Sequence, residues 1–127
     1  PEIVLPALSI GLFSTGVLNL NNMRDIDNDE QSGKITLAVR LGYSKSRVYH
    51  SLLILIAWIT AILFVLFQTG TFYKYLFIIA LPLFLRDIIQ INRITEAKNL
   101  DPFLKKLALS TLLFTLLFCF GLILSAR

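Results

Sequence analysis

"LALSTLLFTLLFCFGLIL", residues 107–124, runs for eighteen positions without a charge. A helix needs about 20 apolar residues to cross a bilayer, with roughly 17 as a lower bound. Three more runs approach that length, at 3–20, 52–67 and 76–91. The second and third are slightly short, and the interfacial residues Tyr49, His50, Tyr75 and Asn92 extend them. The expected spans then cover residues 3–20, 50–68, 75–92 and 106–125, with a motif loop at 21–49. Apolar side chains go nearly all the way round each helix instead of forming one stripe, the pattern of a helix in lipid rather than in a soluble bundle. No period-2 alternation suggests a β-barrel. The expected class is all-α: a polytopic transmembrane helix bundle with four helices here.

Composition agrees. Of 127 residues 56% are hydrophobic, and the mean hydropathy is +0.74; soluble domains are nearer 45–50% apolar, about. The single cysteine, Cys119, lies in an apolar run, where it reads as a small packing residue and excludes an intrachain disulfide. No signal-peptide pattern is present, and the abrupt start at Pro1-Glu2 reads as a piece of a longer protein. The net charge of +4 is modest, and no nucleic-acid partner is expected. Its placement is more informative. Loop 21–51 carries Arg24, Lys34, Arg40, Lys45 and Arg47, and loop 92–106 carries Arg93, Lys98, Lys105 and Lys106. Between them, 68–75 has only Lys74. Basic loops stay in the cytoplasm, so the first two are expected inside, and the 68–75 tip and both termini outside. Phe72, Tyr73 and Tyr75 suit an outer aromatic belt.

Against this background "NNMRDIDNDEQSGK", residues 21–34, concentrates four acids in one place. Asn21, Asp25, Asp29 and Gly33 recur every four residues, so a helix continuing past Leu20 stacks them on one stripe. Asn22 lies near that face, and Asp27 points away into solvent. Carboxylates at i and i+4 repel by a few tenths of a kcal/mol, about, and a divalent cation would offset that. Oxygen ligands favour Mg²⁺ or Ca²⁺. An EF-hand loop counted from Asp25 fails, because its sixth position is Glu30 and its twelfth Thr36. Mg²⁺ with Arg24, Lys34 and Arg40 nearby is the usual kit for a diphosphate. The residues alone leave a second reading open: an acidic loop neutralised by its own Lys and Arg. The following "GKITLAVRLG", residues 33–42, reads either as a short amphipathic element over the membrane mouth or as a plain connector.

The pattern N-N-x-R-D-x-x-x-D-x-x-x-G-K-x-T-L-A-V-R-L-G resembles the second aspartate-rich motif of the UbiA superfamily of intramembrane prenyltransferases. The "NN-x-RD" start, the "GK-x-TLAVRLG" finish and the later "NLDPFLKKLALSTLLFTLLFCFGLIL" look most like the branch that prenylates 1,4-dihydroxy-2-naphthoate in menaquinone synthesis. The resemblance covers the whole chain. It implies the C-terminal part of a fold of nine helices, about, in a bacterial inner membrane, with the motif on the cytoplasmic side. The family's first motif, N-D-x-x-D-x-x-x-D, is absent here, so this piece alone is expected to be inactive. The implied partners are a polyprenyl diphosphate, an aromatic acceptor and the lipid bilayer, and the implied cofactor is Mg²⁺. Asp25 and Asp29 match the family's metal-binding, catalytic acids, and Asn21 and Asn22 match positions lining the same mouth. Arg24, Lys34 and Arg40 are candidates for diphosphate contacts, and the 36–42 element for part of a lid that keeps water out.

Other residues carry weaker signals. Arg86 and Asp87 in the third span read as a snorkelling or paired couple, or as cavity-lining groups. His50 reads as an interfacial anchor, and Tyr43 and Tyr49 as belt residues or acceptor contacts. Phe64, Phe67, Phe77, Phe84, Phe114, Phe118 and Phe120 line a prenyl tunnel or face lipid and neighbouring helices. Asp101 and Pro102 read as N-cap and first helical residue. Competing functions are a UbiA-type enzyme for 4-hydroxybenzoate, homogentisate or haem, and a transporter or ion-binding protein. The latter should hold its carboxylates near the bilayer midplane, whereas Asp25 and Asp29 fall just beyond a span end. A lipid-headgroup phosphotransferase would need D-G…A-R upstream, which is missing.

Overall fold

The computed structural model describes residues 3–126, and among them every element is helical. Helix α1 covers Val4–Arg24 and α2 Ile26–Gln31. Helix α3 covers Leu37–Leu41 and α4 Tyr43–Phe67. A 3₁₀ segment, Phe72–Ala80, runs into α5, Leu81–Arg93. A 3₁₀ turn, Ala97–Leu100, leads into α6, Asp101–Ser125. Among the described residues three helices are long and apolar enough to cross a membrane: Val4–Arg24, Tyr43–Phe67 and Ala97–Ser125.

The third apolar run differs from expectation, being one rod in two helical forms. Pro82 has no N–H to give the Ile78 carbonyl, and the Leu81 N–H takes that carbonyl instead, three residues back. The tighter 3₁₀ form rises about 2.0 Å per residue against about 1.5 Å in an α-helix. The rod over residues 72–93 is therefore still long enough to span a hydrocarbon core of about 30 Å. It approaches α6 closely at Gly121, where an added Cβ would stand 2.5 Å from the Tyr73 carbonyl oxygen.

The expected loop over 21–49 is mostly helix. α1 carries on to Arg24, and α4 begins at Tyr43 rather than near residue 50. Helices α1 and α4 pack through small residues, as lipid-embedded pairs do. Gly16 leaves room for Ile54, whose Cδ1 would lie 2.9 Å from a Cβ there. Ala57 and Ala61 are fully buried. The Ser9 hydroxyl donates to the Ala57 carbonyl at 2.8 Å, and the Asn19 amide donates to the Ser46 carbonyl at 3.2 Å.

Aromatic rings fill the centre. Phe13 of α1 lies 6.3 Å from Trp58 of α4, 4.8 Å from Phe84 of α5 and 4.9 Å from Phe114 of α6. Trp58 stacks on Phe77 at 5.7 Å, and Phe77 meets Phe118 at 5.3 Å. Phe77, Phe84, Phe114 and Phe118 thus form a solid core, while Phe67 and Phe120 face outward and Phe64 is half-buried. Cys119 is exposed on the outer face of α6, not packed inside. The outer surface is aliphatic, with Leu55, Ile59, Leu66, Leu112, Leu116 and Ile123 among its residues. Such a surface suits lipid rather than water.

Candidate functional site

The acidic stretch folds as a helical continuation of α1 with one irregular residue. Asp25 leaves the helical region only slightly, at φ −93° and ψ 10°. The four-back hydrogen bonds pass through it: the Asp25 N–H donates to Asn21 at 3.1 Å, and the Asp29 N–H donates to Asp25 at 2.8 Å. Asp25 and Asp29 therefore remain one turn apart on one face, as the spacing predicts.

Helix α2 stops in a Schellman motif. The Lys34 N–H donates to the Asp29 carbonyl at 2.8 Å and the Gly33 N–H to the Glu30 carbonyl at 3.1 Å. Gly33 takes φ +75°, the left-handed conformation that favours glycine. This turn brings Lys34 back over its own helix. Its Nζ lies 3.1 and 3.3 Å from the two carboxylate oxygens of Asp29. Asp29 is only 7% exposed, whereas Lys34 lies largely in the open.

Arg24 grips Asp25 with a two-pronged pair, Nε to Oδ1 at 2.8 Å and Nη2 to Oδ2 at 2.9 Å. The same guanidinium donates to Asn21 Oδ1 at 3.0 Å and to Asp101 Oδ1, on α6, at 2.8 Å. Four of its five N–H donors are thereby engaged, so the geometry makes Arg24 a clamp on Asp25 rather than an open phosphate ligand. The Arg24 hydrogen bonds, reinforced by its charge and that of Lys34, hold the Asp25 carboxyl below the usual range against a smaller opposing effect of burial.

The other candidates separate. Asn21 belongs to the Arg24 network, while Asn22 lines a small cleft of about 70 Å³ with Thr15, Leu18, Asn19, Leu37 and Tyr49. That cleft lies along the α1 stripe that leads, one turn on, to Asp25. Arg40 is exposed and joins no ion pair among the described residues. Asp27 is exposed as expected and lines a separate cleft of about 390 Å³ with Ile26, Tyr43 and the turn 95–98. The 36–42 element is helical and docked: Thr36 caps α3 by accepting from the Val39 N–H at 3.3 Å, and Ala38 is fully buried.

Some expectations change. His50 is not an interfacial anchor; it is 1% exposed, against Gly16 and beside Ile54. Tyr43 donates its hydroxyl to the Ile94 carbonyl at 3.2 Å beneath the Arg47 guanidinium, so it braces the end of α5. Arg47 donates to the Asn92 and Ile94 carbonyls at 2.8 and 3.0 Å, capping α5. Asp101 is the first residue of α6 and makes no capping hydrogen bond. Its carboxylate serves Arg24 instead, across 77 positions of sequence that carry no local signal of the pairing.

For a magnesium ion the fit is one-sided. The donors are oxygens, and two carboxylates are the number Mg²⁺ commonly takes from protein, water and substrate phosphate completing the shell. Among the described residues no group of three or more acidic, His or Cys ligands occurs. Each acid is already balanced by its own cation. The chain thus presents two carboxylates on one face, with a largely exposed lysine beside Asp29.

The sequence pattern described as the UbiA prenyltransferase family matches residues 1–112. The 1,4-dihydroxy-2-naphthoate octaprenyltransferase of Haemophilus influenzae is 39% identical over 122 residues, 96% of this chain and 40% of that protein. The Escherichia coli protein of the same name is 38% identical over 125 residues, 98% of this chain and 41% of that protein. UbiA prenyltransferase domain-containing protein 1 of Danio rerio is 33% identical over 128 residues, 98% of this chain and 36% of that protein. No solved structure matches. The chain spans about two fifths of the length of the relatives it matches.

Proposed function

The chain belongs to the UbiA prenyltransferase family, and from that premise we propose that it forms the C-terminal part of a membrane prenyltransferase domain. The proposed reaction moves a polyprenyl group from its diphosphate to 1,4-dihydroxy-2-naphthoate. The prenyl carbon–oxygen bond breaks and diphosphate leaves, the ring forms a new carbon–carbon bond, and the carboxylate leaves as CO₂, giving demethylmenaquinol, the hydroquinone form of demethylmenaquinone. The observation that carries this reading is the folded unit Asp25–Asp29–Lys34 at the end of a membrane-length helix. It lies in a chain 38–39% identical, over nearly all its length, to two proteins named for that acceptor.

Asp25 and Asp29 would hold a Mg²⁺, whose charge stabilises diphosphate as it leaves. Arg24, tied to Asp101 and Asn21, keeps the Asp25 carboxylate in one orientation. Lys34 can leave Asp29 when another cation replaces it, because its own side chain is 59% exposed. Its ammonium would then turn to phosphate oxygens, and the exposed Arg40 would supply a second cation. Asn22 and Tyr49 meet in the cleft beneath Asp25, where an acceptor ring would dock. The docked α3 lines that cleft through Leu37 and would limit water at the reacting carbon.

The test uses the full-length parent protein. Asp25→Asn and Asp29→Asn should each lower Mg²⁺-dependent prenyl transfer by about 100-fold or more, the scale of losing an electrostatic stabiliser. Full activity in both would reject the site. Offering 4-hydroxybenzoate, homogentisate and haem in parallel tests the acceptor separately, since preference for one of them would reject only the naphthoate assignment.

A further inference from the structure

The cleft between α5 and α6 contains polar groups that the prenyl-transfer reading leaves unused. It encloses about 230 Å³ and is lined by Leu83, Arg86, Asp87, Lys106, Leu109 and Ser110. Asp87 is 7% exposed and Ser110 6% exposed. Among the described residues Asp87 joins no ion pair, and neither do Arg86 and Lys106 on the same walls. The Lys106 ammonium instead stands 4.3 Å from the Phe103 ring centre. A carboxylate buried at membrane depth without a partner is costly and marks a binding or transport role.

We propose that this cleft binds the headgroup of a glycerophospholipid that carries both a phosphate and a primary amine. The walls hold both signs of charge. Arg86 and Lys106 suit the phosphate, and Asp87 with the Ser110 hydroxyl suits the ammonium. The depth also suits a headgroup. Asp87 lies six residues before Arg93, the end of α5, and Lys106 five residues after Asp101, the start of α6. At about 1.5 Å per residue both stand within about 9 Å of the helix ends. This is the end of the bundle that carries Asp25, since Arg24 bonds Asp101 there. The flanks complete the match: Leu83 is 39% exposed and Leu109 54% exposed, an apolar margin along which acyl chains can lie. A free phosphate would use only the cations and would leave Asp87 facing its own negative charge. The site is separate from the Asp25–Asp29 chemistry and stands or falls without it.

The test is lipid retention by the full-length protein in detergent, read by native mass spectrometry after adding dioleoyl phosphatidylethanolamine or dioleoyl phosphatidylglycerol at equal concentration. The ethanolamine lipid should be retained at least fivefold more. Asp87→Asn should remove that preference, and Lys106→Gln should lower retention of both lipids. Equal retention of the two lipids by the unaltered protein would overturn the proposal, as would an unchanged preference in Asp87→Asn. Lys106 is exposed, so its variant decides the matter even if Asp87→Asn fails to fold: unchanged retention in Lys106→Gln also overturns the site. Phosphoethanolamine without acyl chains, added at the same concentration, should not displace the lipid. Full displacement would reject a lipid as the occupant.

Discussion

Asp25 shows how one side chain is set by others far from it in sequence. Its two oxygens accept from Arg24, two of whose other donors reach Asn21 and Asp101. The carboxyl is thereby held below its ordinary value. A carboxyl lowered in the folded state adds stability that is fully present above the unfolded value, about pH 4, and is lost as pH falls through the lower folded value. The thermal midpoint of the full-length protein should therefore exceed that of Asp25→Asn at pH 7. The gap should persist down to about pH 4 and close below it. Arg24→Gln should abolish this closing, since the shift originates in the guanidinium. A gap independent of pH down to 3 would show that Asp25 is not held by Arg24.

Among the elements, the short α2 with its turn is the unit that folds the motif back on itself. Gly33 at φ +75° lets the chain reverse, and the reversal lays Lys34 against Asp29. Gly33→Ala would force a Cβ into the left-handed region at a cost of about 1 kcal/mol or somewhat more. No neighbouring atom stands within 4 Å of that Cβ, so the cost is conformational rather than a clash. The expected outcome is a small loss of thermal stability with a larger loss of prenyl transfer, because Lys34 is no longer held beside the motif. A variant with unchanged turnover would show that the turn only connects. The 3₁₀ segment makes a related point about backbone chemistry. Pro82 removes one donor, the hydrogen bonding shortens to three residues, and the third rod changes form without losing its reach.

Across the whole molecule, the four rods meet at one aromatic cluster, and Phe13 touches rings from three other elements. Phe13→Ala would leave a cavity where α1, α4, α5 and α6 converge, with an expected cost of about 3–5 kcal/mol. The single tryptophan reports on it directly, because Trp58 is 4% exposed and lies against Phe13. Its emission should shift to longer wavelength as the midpoint falls. Retained emission and midpoint would place the stabilising contacts elsewhere. The same cluster means that these rings pack the bundle. A prenyl chain would have to run along an outer face of this chain, where the aliphatic surface is open.

Hydrophobic run length alone determined that the chain is helical and membrane-embedded, because a span must satisfy its own backbone and expose apolar side chains to lipid. The four-residue spacing of Asp25 and Asp29 likewise fixed a shared face, since helical periodicity is local, whereas Gly33 ends α2 in the left-handed region instead of extending the stripe. Local rules also foresaw Pro102 in the first turn of α6. They could not reveal that Asp101 reaches Arg24, that His50 is sealed against Gly16, or which phenylalanines face inward. Those outcomes depend on which helix faces meet, and every face of a lipid-embedded helix is nearly equally apolar, so periodicity gives no inward direction. Only the packed arrangement, through small residues that let backbones approach and the long-range Arg24–Asp101 ion pair that ties two helix ends, decided them.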